Sequence, residues 1–108
     1  MSKQFVQGDV MFILLSEKPI MKNYKPISPQ AGRIVIARGE KTGHVHTVDS
    51  AAATLFSFAF NDERIIVVDM ETEVEHDEHP PLTLSPGAYN IVLQRQYVEK
   101  EKARRVLD

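Results

Sequence analysis

The 108-residue chain has no cysteine, which excludes disulfides and thiolate metal ligands, so any bound metal must rely on imidazole and carboxylate. Long apolar runs are also missing. Val10 to Leu15 follows Asp9 and is too short for a signal-peptide core or a membrane span, so a soluble chain with no export signal and no membrane partner is expected. Positive charge is not in excess. Lys and Arg number 13 against 15 Asp and Glu, a net charge of −2, which argues against a general nucleic-acid binder. There is no internal repeat and no low-complexity tract.

Several catalytic and binding patterns are absent as well. Gly39-Glu-Lys-Thr42 lacks the upstream glycine and following helix of a phosphate loop. Ser57 and Ser85 have no His/Asp arrangement near them in sequence. The acidic stretch from Asp69 to Glu78 alternates its glutamates and lacks the Asp-x-Asp-x-Asp-Gly spacing of a calcium loop. It reads as a solvated strand face.

What is present is histidine, and it is paired. The four histidines fall as His44-Val-His46 and His76-Asp-Glu-His79. Imidazole is the commonest protein ligand for first-row transition metals, so two doublets and no other histidine point to one shared site. Four imidazoles would suit a tetrahedral divalent metal, zinc foremost. Three with Glu78 or Asp77 and a water would leave a position open for chemistry. The plainer alternative is a hydrogen-bonded polar pair on a strand and a polar turn.

With 43% hydrophobic and 26% charged residues, the composition is that of an ordinary globular protein, and the length suits a single domain over 1–108. The pattern is mostly strand. Gly8-Asp9 marks a turn or bulge between Phe5-Val6 and the apolar run Val10 to Leu15. Pro19 to Pro29 should be an irregular connection, and Gly32 to Arg38 a short strand. Thr54 to Phe60 alternates, placing Phe56, Phe58 and Phe60 together, a face assigned to the core. Arg64 to Glu75 reads as one long strand, Pro86-Gly87 as a type II turn, and Ala88 to Val98 as the last strand. Glu99 to Leu107 is the one helical stretch, supported by Glu101 and Arg105 at i,i+4. The expected fold is therefore all-β: a small barrel or two-sheet sandwich of short, mostly antiparallel strands with a short C-terminal helix.

Side chains two apart on a strand share a face. His44, His46 and Val48 then point together, while His76 shares the apolar face of Ile66, Val68 and Val74. Both doublets are thereby assigned to the inner side of the sheet.

Two resemblances follow from these motifs. Gly39-x4-His44-Val-His46 is similar to the first metal motif of the cupins, and Leu84-Ser-Pro86-Gly87 to the start of their second. The chain departs from the cupins at Ser50 and Ala51, where a glutamate would fall, and in lacking the second-motif histidine. No cupin chemistry carries over. The closer resemblance spans nearly the whole chain. Gln7-Gly-Asp-Val10, Gly39-Glu-x-Thr-Gly-His-x-His46, Glu75-His-x-Glu-His79, Pro86-Gly-x-Tyr89 and Gln94-Arg-Gln-x-Tyr-Val98 together resemble a family of small uncharacterised phage and bacterial proteins. That resemblance implies a compact β domain in the cytoplasm or a virion, without an assigned activity.

Three functional expectations result. The first is a non-enzymatic β domain, with His44, His46, His76 and His79 holding a metal or polar cluster. Its partners would be proteins, a viral capsid protein or further copies of itself, as in a capsid cement or decoration protein. The second is a small metalloenzyme with three histidine ligands and Glu78 as ligand or general base. The third is a small-molecule binding module using the Phe56, Phe58 and Phe60 face.

Overall fold

A computed structural model describes residues 3–38 and 45–94, and every element in it is a strand. These are β1 (Gln4–Gln7), β2 (Val10–Leu14), β3 (Tyr24–Pro26), β4 (Arg33–Arg38), β5 (Val45–Asp49), β6 (Ala53–Phe58), β7 (Arg64–Val68), β8 (Thr72–Val74), β9 (Leu82–Leu84) and β10 (Gly87–Leu93). All ladders are antiparallel. The expected all-β, antiparallel class is what the structure has. The helix expected over 99–107 and residues 95–98 of the expected last strand lie outside the described residues; β10 itself ends at Leu93.

Six strands form one sheet in the order β1-β2-β10-β7-β6-β3. Two short ladders, β4-β5 and β8-β9, are linked by an isolated antiparallel bridge between Thr47 and Glu75. The core lies between this pair of ladders and the large sheet. Val10, Phe12, Leu55, Ile66, Val68, Tyr89 and Ile91 from the sheet meet Ile34, Ile36, Val48, Val74 and Leu84 from the ladders. Burying such side chains stabilises by about 1.5–3 kcal/mol each.

Gly8 and Asp9 make the tight β1–β2 turn, because Gln7 pairs directly with Val10. Gly8 has φ +60°, and positive φ at only the first central residue is the type II′ pattern that suits hairpin twist. Val10 onward is therefore the second strand of a hairpin, and the connection from Pro19 to Pro29 contributes the short edge strand β3.

Three expectations are corrected. The long strand from Arg64 to Glu75 is two strands in different ladders. The chain leaves the sheet after Val68, where the amides of Asp69 and Met70 both turn to the carbonyl of Ala52. Met70, which one continuous strand would set on the inner face with Ile66 and Val68, is 55% exposed. Second, Phe56, Phe58 and Phe60 are not core. Leu55 and Ala53 point inward opposite Ile66 and Val68, so the phenylalanines take the opposite face. There Phe58 packs on Tyr24 and Phe60, while Phe60 is 73% exposed. A Phe60→Ser variant is accordingly expected to change stability by no more than about 0.5 kcal/mol in a denaturant titration. Third, Gly87 has φ +154° as the first residue of β10, far from the roughly +80° of a type II turn.

Candidate functional site

The bridge between Thr47 and Glu75 decides where the histidines meet. Each residue's amide donates to the other's carbonyl, at 3.0 and 2.8 Å. Continuing that antiparallel register sets residue 46 opposite 76 and residue 48 opposite 74. Val48 and Val74 are both fully buried. On the other face, Arg33 donates to Thr47 Oγ1 at 3.0 Å and pairs with Glu75 Oε2 at 2.9 Å. Glu75, Glu71 and Glu73 are exposed, as strand parity requires.

Three imidazoles gather at the end of the β1–β2 hairpin. His46 and His76 have ring centroids 4.3 Å apart, His76 and His79 4.7 Å, and His46 and His79 6.4 Å. His46 is 2% exposed, His76 is half-buried and His79 is exposed. His44, the fourth member of the expected set, lies outside the described residues.

Gln7 controls the buried ring. Its side-chain amide donates to the carbonyls of Val74 at 2.8 Å and Pro80 at 2.9 Å. Both donors being used, Gln7 Oε1 is the acceptor that faces His46 Nδ1 at 2.8 Å. His46 must therefore donate from Nδ1, and in the neutral ring Nε2 carries the lone pair. That nitrogen is 3.8 Å from Asp9 Oδ1. Second-sphere partners of this kind fix the tautomer and ring orientation of metal-binding histidines. His76 has the opposite tautomer, because its Nδ1 accepts the Glu78 amide at 3.0 Å.

Gly8 completes the enclosure. A Cβ at this position would lie 2.8 Å from His79 Nε2 and 3.4 Å from His46 Cε1. Glycine thus lets the turn close against two imidazoles. Gln7, Gly8 and Asp9 were not singled out as site residues from the sequence. The available signal was parity, since Gln7 shares the inward face of Phe5 while being polar.

The expected carboxylates play different parts. Glu78 meets the cluster through its amide, and both Asp77 and Glu78 are exposed. A cavity of about 350 Å³ beside His76 is lined by Val45, Thr47, Glu75, His76, Asp77 and Pro81. Among the described residues, no group of three or more His, Asp or Glu side chains stands arranged to hold a metal ion. No helix among them is long and apolar enough to cross a membrane.

A family model described as "Domain of unknown function (DUF8820)" matches residues 6–94, and the chain belongs to that family. No curated protein and no solved structure matches it significantly.

Proposed function

We propose that this DUF8820 domain is a non-enzymatic β module in which His46, His76 and His79, with His44, take up a divalent transition metal, zinc foremost. The metal would fasten β5 to the segment between β8 and β9, with the β1–β2 turn packed against the rings. The observation that carries this reading is the spacing of the rings together with the orientation of His46 by Gln7. Three imidazoles bound to one zinc at Zn–N of about 2.0–2.1 Å hold their centroids roughly 5 Å apart. The separations of 4.3, 4.7 and 6.4 Å straddle that distance. The donor nitrogens are not gathered, so ligation calls for ring rotation. Ligation through His76 Nε2 moves its proton to Nδ1 and releases the amide of Glu78.

The domain's work would then be interaction with protein, and the resemblance to small phage proteins makes a capsid cement or decoration role the concrete form of it. The absence of the protein from purified particles would remove that form while leaving the metal site in place. The cavity beside His76 favours one rival, a small metalloenzyme with Glu78 as ligand or general base. A tightly closed four-histidine shell in the metal-loaded protein would dispose of it.

Zinc titration followed by calorimetry and thermal unfolding tests the metal site. Stoichiometric binding is expected, with stability raised by about 2.7 kcal/mol when free zinc is a hundredfold above Kd. A chelator should reverse it, and the Glu78 amide resonance should shift. His46→Ala should abolish the response. Unchanged unfolding in zinc and in chelator would overturn the reading.

A further inference from the structure

A second polar constellation lies beside β4, apart from the histidines. A cavity of about 340 Å³ is lined by Gln30, Val35, Ile36, Ala37, Arg38, Arg64 and Leu93. That volume is at the small end of ligand pockets, which run from about 300 to 1,000 Å³. Four consecutive residues of one strand, Val35 to Arg38, line it because of two local features. Among the described residues β4 is paired only with β5, and none of their strands lies along its other edge. Its register with β5 also shifts between Val35 and Ala37, so Ile36 is the extra residue of a bulge and is buried together with Ala37. Bulges of this kind bend a strand and re-aim its side chains.

Arg64 enters from the large sheet. It opens β7 opposite Ile91 and Ser57, on the same face as the core residues Ile66 and Leu55. Burial lowers its guanidinium pKa from the ordinary arginine value, and the nearby charge of Asp62 only partly opposes this. The Arg64 side chain makes no hydrogen bond or ion pair with any of the described residues. Withdrawing a cation from water without a partner is costly, and nothing in the core packing requires arginine at this end of β7.

We infer that this cavity is an oxyanion-binding site, in which the Arg64 and Arg38 guanidinium groups and the Gln30 amide take the carboxylate or phosphate head of a small ligand whose apolar part rests on Val35, Ala37 and Leu93. Guanidinium groups suit this task because their planar fork meets two oxygens at once. The apolar wall limits the ligand to one whose charge is confined to one end. Carboxylate and phosphate share the recognising chemistry, and the two are separated by experiment.

The test is calorimetric titration of the full chain with inorganic phosphate, phenyl phosphate and benzoate, at fixed ionic strength with chloride as the competing anion. Saturable binding of at least one is expected, and which probe binds identifies the head group. Tighter binding of phenyl phosphate than of inorganic phosphate would assign the apolar wall. Arg64→Gln should weaken binding by at least about tenfold. Arg64→Lys keeps the charge and guards against a folding defect, and should still bind more weakly than the native chain because it loses the fork. In the absence of ligand, Arg64→Leu should unfold at the same or a higher temperature than the native chain, and ligand should no longer raise it. Saturable binding to none of the probes, or native affinity in both Arg64→Gln and Arg64→Lys, would overturn the inference.

Discussion

Replacing Gln7 by leucine is expected to lower the unfolding free energy by about 3–5 kcal/mol, each buried polar group left without its partner accounting for roughly 1–3 kcal/mol. Leucine fills a similar volume and is apolar, so packing alone predicts a neutral change at a site only 3% exposed. The loss comes from three groups at once: the Val74 and Pro80 carbonyls and the His46 Nδ1–H. Gln7→Glu separates the roles. Its carboxylate still accepts from His46 but cannot donate to the two carbonyls, and it adds a negative charge beside the ring. His46 should then titrate at higher pH than in the native chain, as read by NMR. Native stability in Gln7→Leu would show that the three bonds contribute nothing net.

Substitution of Gly8 should have the next largest effect, and it divides into two parts. Backbone at φ +60° disfavours any residue with a Cβ by about 1–2 kcal/mol. Independently, the new Cβ would stand 2.8 Å from His79 Nε2, so the imidazole must move. Gly8→Val suffers both and should lose about 3 kcal/mol or more, since β-branched side chains tolerate positive φ least. Gly8→Asn should recover part of that loss, because asparagine is not β-branched and is among the residues accepted at the positive-φ positions of hairpin turns, yet it displaces His79 all the same. Both variants are therefore expected to lose zinc affinity, while only the valine variant is severely destabilised. Chemical denaturation and zinc titration on the two proteins read these parts separately.

Strand positions and the inward pointing of His46 were legible because alternation is a local property. His76 was assigned to the apolar side through a strand that does not exist as one piece. That assignment survives because β8 resumes alternation at Thr72, after the chain has turned to Ala52 at Asp69 and Met70. No glycine or proline marks that exit, so local patterning gave no warning. The phenylalanines of β6 misled for a related reason. Leu55 and Phe56 are both apolar, and which face is buried depends on the register with β7. Gln7 and Arg64 were harder still. Their significance lies in partners 67 residues away, as with Gln7 and Val74, or in a cavity that only the paired layers create.

The bridge between Thr47 and Glu75 has a kinetic consequence. Among the described residues, two hydrogen bonds are all the backbone pairing that joins the β4-β5 ladder to the β8-β9 ladder, and the residues next along the chain on either side are His46 and His76. A ligand gripping both imidazoles would hold that seam shut, making one four-stranded sheet of two short ribbons. Amide hydrogens of Thr47 and Glu75 should then exchange with solvent far more slowly in the loaded protein than in the free one, while those of the distant β3–β6 pair keep their pace.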